Sequence, residues 1–408
     1  MTFRRTSILL LLFLLPAGDA SALTINEAVD RALASNPVLS VRRVGAERAR
    51  SAAEVGAGWL APTIEAEATP LTLKNGYEAE IGLAQRLRIR GRSAAEKRLA
   101  MAVALRQSYQ ADALERHVAL EARRLYRAVG LNEERRLILT ELWEREDRLL
   151  KVAVARRPFG EVSDLDIGQL KSRAAMRLAD LEESRGALDA GRIALAAWMG
   201  QADTSGLTVT PVVPTPLLPA DSLASALAGR PDIQAFRADI DEAQAEIDLA
   251  RTNNLSEPEV GLFLKQTGGA DSDDSQIGAR VSFPLPFLNS RTRTVAGAEA
   301  RRDAATDLQR AERNLAELSL RAALARVEAV RRGLAAYDPE TRDAIKRALE
   351  LAERAYAEGR IDVFALTEVA RATVDIELNR IAALERWHES LNQAEEIAGR
   401  ALTPDAER

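Results

Sequence analysis

The chain contains no cysteine among its 408 residues. That excludes disulfide stabilisation and any lipid carried on an N-terminal cysteine. Aromatic residues make up only 4 %, and there are two histidines and four methionines. Transition-metal sites need imidazole or soft ligands in clusters, and His117 and His388 fall on separate helical stretches. Each is expected to be a partly exposed helical residue, and neither a metal nor a cofactor is expected. No nucleophile elbow, phosphate loop or zinc-helix pattern occurs, so no enzyme activity is expected. The many Glu–Arg neighbours read as surface pairs of little energy. After the first residues, no run of eighteen apolar residues offers a transmembrane helix.

The exception at the start is short. Arg4 and Arg5 precede an apolar run at residues 8–15, and Ala20-Ser21-Ala22 supplies the small-x-small pattern of a cleavage site. Residues 1–22 read as a secretory signal, with a retained anchor as the alternative. Removing Arg4, Arg5 and Asp19 takes the balance from 56 basic and 61 acidic residues to 54 and 60. This mild acidity argues against nucleic acid as a partner. The abundance of alanine, leucine, arginine and glutamate belongs to long helices.

The organising feature is an internal repeat. Ala32-Leu33-Ala34-Ser35-Asn36-Pro37 matches Ala226-Leu227-Ala228-Gly229-Arg230-Pro231 at an offset of 194. Ile81-Gly82 matches Ile277-Gly278 at 196, and Gly160-Glu161-Val162-Ser163 matches Gly359-Arg360-Ile361-Asp362 at 199. The first copy spans residues 23–203 and the second 221–402. A linker at 204–220 holds prolines 211, 214, 216 and 219, which favour a stiff, extended connector. A tail follows at 403–408.

Each copy opens with a helix. Thr24 and Glu27 have capping-box spacing in the first, which is expected to run to about Gly56, and Asp221 can cap the second, running to about Thr252. Two alternating segments follow. Ile64, Ala66 and Ala68, then Tyr77, Ala79, Ile81 and Leu83, alternate with polar or small residues around an Asn75-Gly76 turn. Val260, Leu262 and Leu264, then Ile277, Ala279, Val281 and Phe283, do the same around a turn at 268–275. Such strands suit a membrane β-barrel or any half-buried sheet. Phe263 falls on the polar face, Pro70 interrupts the first strand, and the aromatic set is thin: Trp59, Tyr77, Phe263, Phe283 and Phe287. Four strands cannot close a barrel in one chain, so in lipid several subunits must pool them.

Long helices come next. Residues 92–157 hold no proline and one glycine, enough for a rod of about 100 Å at ~1.5 Å per residue. A return helix is expected from about Asp164 to Trp198, and a second hairpin turns around Gly359, its first arm kinked at Asp338-Pro339. Val374, Leu378, Ile381, Leu384 and Leu391 form an apolar seam on the last arm. The fold class expected is mainly α with a small β part.

In this order the motifs resemble those of the TolC-like outer-membrane efflux protein family over nearly all of the chain after residue 22. The stretches that carry the likeness are Leu23-Thr24-Ile25-Asn26-Glu27-Ala28 through Asn36-Pro37, then Arg230-Pro231-Asp232, then Ala355-Tyr356-Ala357-Glu358-Gly359-Arg360-Ile361. The resemblance implies a homotrimer in the outer membrane of a Gram-negative bacterium. Each subunit would give four strands to a twelve-stranded barrel, and its helices would form a tunnel through the periplasm. The tip would dock onto a periplasmic adaptor coupled to an inner-membrane pump, making the chain the exit duct of a tripartite efflux system. Phe283-Pro284-Leu285-Pro286-Phe287 with Asn289-Ser290-Arg291 looks most like the heavy-metal, CzcC-like branch, although this strand end occurs more widely in the family.

The helical turns are the candidate docking tips: Arg157, Gly160, Val162, Ser163 and Leu165 in the first copy, and Gly359, Arg360, Ile361 and Asp362 in the second. Glycine permits the tight reversal, and small apolar residues can fit a partner helix. Asp166 and Glu368 match acidic positions of the family motif and are candidates for a cation-favouring ring at the aperture. Ala365 stands where some members carry aspartate, which puts the usual arrangement in doubt. The alternatives are an ordinary turn and a solvated helix face. At the level of the whole chain, the rivals are a periplasmic adaptor and a soluble coiled-coil scaffold. The duplication argues against the first and the alternating strands against the second.

Overall fold

The computed structural model describes residues 22–55, 61–71, 76–87, 91–160, 162–204, 207–210, 213–217, 227, 229–252, 258–268, 273–283 and 291–403. The leader at 1–21, Trp59, Asn75, prolines 211 and 219, the Asp221 cap, the motif at 284–290 and the tail at 404–408 lie outside the described residues.

Among the described residues the chain is mainly helical, with one four-stranded sheet. In the first copy α1 (Ile25–Ser35) and α2 (Pro37–Val55) precede β1 (Thr63–Leu71) and β2 (Gly76–Arg86), then α3 (Arg92–Arg156) and α4 (Asp164–Trp198). In the second copy α5 (Pro231–Thr252) precedes β3 (Glu259–Gly268) and β4 (Asp273–Ser282), then α6 (Arg291–Leu334), α7 (Pro339–Ala357) and α8 (Val363–Ala398). In both, helices flank a pair of strands: among the described residues two helices precede and two follow the pair in 23–203, and one precedes and three follow it in 221–402.

The expected capping box at the start is formed. The Thr24 N–H donates to Glu27 Oε2 at 2.9 Å, and the Glu27 N–H donates to Thr24 Oγ1 at 3.3 Å. These hydrogen bonds hold the Glu27 carboxyl below its usual range. The single helix expected from there to Gly56 is instead broken at Asn36. Pro37 has no N–H to continue the ladder and fits the first position of a new helix. Asn36 Oδ1 then accepts from the N–H groups of Val38 and Leu39, at 3.1 and 3.2 Å, and caps α2.

Asp338-Pro339 acts in the same way. A short 3-10 turn, Ala335–Tyr337, ends the first arm, and Asp338 Oδ1 accepts the Thr341 N–H at 2.7 Å. By contrast α3, which lacks proline, runs unbroken for 65 residues.

The strands form one antiparallel sheet in the order β1-β2-β3-β4. The β2–β3 ladder, from Tyr77↔Gly268 to Arg86↔Glu259, joins the two sequence copies. Pro70 stays within β1, opposite Tyr77, because β1 is an edge strand, where a missing donor is tolerated.

The chain packs as two compact units, each drawing on both copies. One comprises Met1–Ala32, Ala122–Val213 and Arg342–Ile381; the other comprises Leu33–Glu121, Pro214–Thr341 and Ala382–Arg408. In the first unit the core gathers Leu349, Tyr356 and Leu366, and separately Ala153, Val162 and Leu170. There Tyr126 ties Leu23 to the inter-repeat connector: its hydroxyl accepts the Thr210 N–H at 2.9 Å and lies 2.7 Å from the Leu23 carbonyl oxygen.

In the second unit Trp387, Leu391, Ala394 and Ala398 of α8 pack with Leu320, Ala323 and Val327 of α6. The seam on the last arm is buried as expected at Val374 and Ile381 in one unit and at Leu384 and Leu391 in the other. His117 is exposed, whereas His388 is buried, its ring edge-on to Trp387 at 4.9 Å. Partial exposure, expected for both, fails for His388, which lies on the buried side of α8 next to Trp387.

Candidate functional site

The hairpin ends lie in the first unit. After α3 a 3-10 turn, Arg157–Phe159, reaches Gly160 at φ +74°, and α7 ends at Gly359 with φ +68°. Both backbones are left-handed, which glycine adopts without a Cβ clash. At the second turn the Arg360 N–H donates to the Ala355 carbonyl and the Gly359 N–H to that of Tyr356, closing the helix with a Schellman pair.

The residue three after each glycine caps the next helix. Ser163 and Asp166 form a full capping box: the Asp166 N–H donates to Ser163 Oγ at 3.1 Å, and the Ser163 N–H donates to Asp166 Oδ2 at 3.2 Å. In the second copy Asp362 Oδ1 accepts the Ala365 N–H at 2.8 Å. Asp166, a candidate for the acidic ring, is therefore engaged in its own helix start, whereas Glu368 is exposed on α8.

Val162 is buried against Ala153 and Leu170, and Ile361 packs on the Leu349 cluster. Leu165 faces outward at 72 % exposure, as does Phe364, its counterpart at the 199-residue offset, at 67 %. Phe159 is 78 % exposed. The sequence reading missed both phenylalanines. The duplication offered a signal for Phe364 through Leu165, but nothing local revealed which apolar side chains turn outward. Arg157 pairs with Asp164 at 2.7 Å, and Arg360 pairs with Glu358, both in solvent.

Arg156, also missed, brings the two ends together. Its guanidinium donates to the Tyr356 and Ala357 carbonyls, each at 3.2 Å, and lies over the Tyr356 ring at 4.7 Å. These are last-turn carbonyls of α7, where a cation also meets the helix dipole favourably. Further along the same unit, Arg380 donates to Glu134 and Glu377, and Arg342 donates to Glu377. Burial alone would lower the Arg380 guanidinium, but the two carboxylates outweigh it and hold it above its usual value.

The sheet in the second unit has two unlike faces. Ile64, Leu83, Leu262 and Ala279 share one row, and Ala66, Ile81, Leu264 and Ile277 share the next. This face is apolar and open, with Ile64 75 % and Ile277 85 % exposed. The other face carries Glu65, Glu78, Glu80, Glu259, Arg86, Lys265 and Arg280. Arg280 pairs with both Glu65 and Glu80, Lys265 with Glu78, and Arg86 with Glu259. Phe263, out of place in the alternation, lies on this polar face because its ring covers Gly278. A Cβ there would stand 2.3 Å from Phe263 Cζ. The Arg280 guanidinium lies over the same ring at 5.2 Å. Among the described residues no helix is long and apolar enough to cross a membrane.

Residues 223–400 match the sequence model of a family described as outer membrane efflux protein. Among solved structures, the CmeC outer membrane channel of Campylobacter jejuni superposes with a TM-score of 0.73 at 16 % identity, over 93 % of this chain and 86 % of that one. The outer membrane protein VceC of Vibrio cholerae gives 0.72 at 14 % identity, over 93 % and 97 %. The open state of the MtrE outer membrane channel of Neisseria gonorrhoeae gives 0.69 at 18 %, over 94 % and 91 %. The fold is that of the outer-membrane efflux channels. Among curated proteins none matches by sequence.

Within the stretch that matches the efflux family, Arg230-Pro231-Asp232 has a visible structural role. Arg230 donates to both carboxylate oxygens of Asp232 and to the Ile397 carbonyl in the last turn of α8. Burial pushes the Asp232 carboxyl up, but Arg230, the Ile233 N–H and Arg116 outweigh it and hold it below its usual range. Gly399 follows α8, and a Cβ there would meet Arg116 Nη1 at 2.6 Å. The motif locks α5 to the end of α8.

Proposed function

We propose that the chain is the outer-membrane exit duct of a tripartite efflux system, acting as a homotrimer and catalysing no reaction. The sheet is the observation that carries this reading. Its apolar face is exposed and, in the two rows from Ile64 to Ala279 and from Ala66 to Ile277, carries no charge. Among the described residues no further strand pairs with the outer edge of β1 or of β4. Hydrocarbon accepts such a face but not an open edge, so edges from several copies must pair. The first copy and linker at 23–220 and the second copy at 221–402 would each supply two strands and one helical hairpin.

The hairpin ends are the docking surface for a periplasmic adaptor. Phe159, Leu165 and Phe364 supply exposed apolar area, and the Ser163 and Asp362 caps fix the turns that present them. Arg157, Gly160, Gly359 and Arg360 complete the surface, while Val162 and Ile361 support it from within. F159D/F364D is expected to abolish export while the trimer, read by native mass spectrometry in detergent, is retained. Export at the wild-type level would remove the tips from the docking role. Glu368 is the stronger aperture candidate, because Asp166 is committed to its cap. In planar bilayers E368Q should lower cation selectivity more than D166N. Heavy-metal cations are the proposed cargo, on the strength of the Phe283-Pro284-Leu285-Pro286-Phe287 strand end. Recovery of the protein as a soluble periplasmic monomer would overturn the channel reading in favour of a scaffold.

A further inference from the structure

The two ends of the sheet differ in charge. At the hairpin ends, residues 69–78 and 267–276 hold one basic residue, Lys74, and four acidic ones, Glu78, Asp271, Asp273 and Asp274. At the other end, where β2 passes into α3, residues 86–98 hold six basic residues and one acidic, Glu96. Where β4 passes into α6, residues 283–293 add Arg291 and Arg293 and no acid. The passages into β1 and β3, at 56–62 and 253–258, add only Glu257. The chain as a whole carries a net charge of −5, so this positive excess is local.

Neighbouring carboxylates cancel part of it. Arg86 pairs with Glu259 at 3.4 Å on the polar face of the sheet, Arg92 with Glu96 at 3.0 Å, and Arg98 with Asp248 at 3.9 Å. Lys97 and Arg293 are exposed, and among the described residues neither has an ion-pair partner. Both stay close to the sheet, Lys97 about 8 Å and Arg293 about 3 Å along their helices at ~1.5 Å per residue. Neither α3 nor α6 has an acidic residue in its first turn. Arg92 and Arg293 therefore stand where the helix dipole opposes a cation. Their own helices do not explain them.

The apolar face of the sheet reaches this same end. Along β4 it runs through Ile277, Ala279 and Val281 and on to Phe283, and Ile277, Val281 and Phe283 are each more than half exposed. Towards the hairpin end this face turns polar, with Gln266 opposite Ser275 and Gly268 opposite Asp273. A surface that is apolar and then basic within a few ångströms matches hydrocarbon followed by anionic headgroups.

We propose that the belt where the strands pass into α3 and α6 binds anionic phospholipid headgroups in the leaflet on the helical side, through Arg92, Lys97 and Arg293. The proposal rests on the membrane reading of the sheet and adds to it a lipid preference.

The purified oligomer of the full chain is immobilised and equilibrated with detergent micelles holding equal amounts of phosphatidylglycerol and phosphatidylcholine. The lipid it retains is then quantified. The parent chain is expected to retain phosphatidylglycerol about fivefold over phosphatidylcholine, the ratio that one cation beside an anionic surface supplies. K97Q/R293Q should bring the ratio close to one, with the oligomer retained by native mass spectrometry. K171Q/R371Q, which removes the same charge from exposed positions of the other unit, should leave the ratio unchanged. Equal retention of the two lipids by the parent chain, or an enrichment that survives K97Q/R293Q, overturns the belt and leaves the channel reading standing. Displacement of the lipid by excess inorganic phosphate does the same, since it marks a site for free anions. If K97Q/R293Q does not assemble, the parent chain decides alone. Raising the salt should abolish its enrichment, because exposed charges are screened, and an enrichment that persists overturns the belt. Recovery of a soluble periplasmic monomer overturns the channel reading itself.

Discussion

Gly278 has no side chain because the Phe263 ring occupies the place one would need. An aromatic laid over a glycine on the neighbouring strand fills the gap that the glycine leaves in a packed face. G278A should push the ring off its rotamer at a cost of about 1 kcal/mol. F263A/G278A should cost less than the two single changes added, because the clash and its partner leave together. Thermal melts of the purified oligomer followed by circular dichroism would measure both. Asp232 gives a second prediction, with a definite sign. Its folded carboxyl lies below its unfolded value, so its contribution is present above the ordinary aspartate range of ~3.9 and is lost as pH falls through the folded value. D232N should therefore lower the melting temperature near neutrality and flatten the acid limb of stability against pH. An acid limb as steep as that of the parent chain would show that other carboxylates govern it.

Elements here depend on contacts that differ greatly in sequence separation. The capping boxes at Thr24 and Ser163 span three residues, and the strand alternation spans ten, so both are legible in the local sequence. The proline at 339 likewise announces a break. Pro37 carries the same information at Asn36, but the apolar pattern continues on either side and masks it. Arg156 is beyond reach for a different reason. Its partners lie 200 residues away, and no local rule selects which arginine of an arginine-rich helix will find a helix end. The outward turn of Phe159 and Phe364 and the inward turn of Val162 are hidden likewise, since exposure at a hairpin end is set by the neighbouring hairpin. R156A removes two hydrogen bonds and a cation–π contact from the end of α7. Net losses of about 0.5–1.5 kcal/mol per hydrogen bond should appear there first. Amide exchange of Tyr356 through Arg360 should quicken while that of the sheet is unchanged. Unaltered exchange at these residues would mean that the Schellman pair alone holds the turn.

For the whole molecule, the governing fact is that its most membrane-compatible surface cannot be used by one copy. A four-stranded sheet with two open edges is unsuitable in hydrocarbon, and no described helix offers another way across. In the proposed reading, function at this scale therefore depends on assembly, and cargo on what the assembled duct is coupled to. On the polar face of the sheet Lys265 pairs with Glu78 and Arg280 with Glu65 and Glu80, and these pairs name no cargo. The cargo must then be decided by phenotype. Deletion of the gene in its host is expected to cause hypersensitivity to divalent metals, with restoration by the intact gene. Growth against organic antibiotics and detergents should stay near that of the parent strain. The reverse pattern would mark a duct for organic compounds and strip the proline-rich strand end of any bearing on cargo. F159D/F364D, expressed in the deleted strain, separates the two levels. If it fails to restore growth while its trimer persists, the loss lies in coupling and not in the channel.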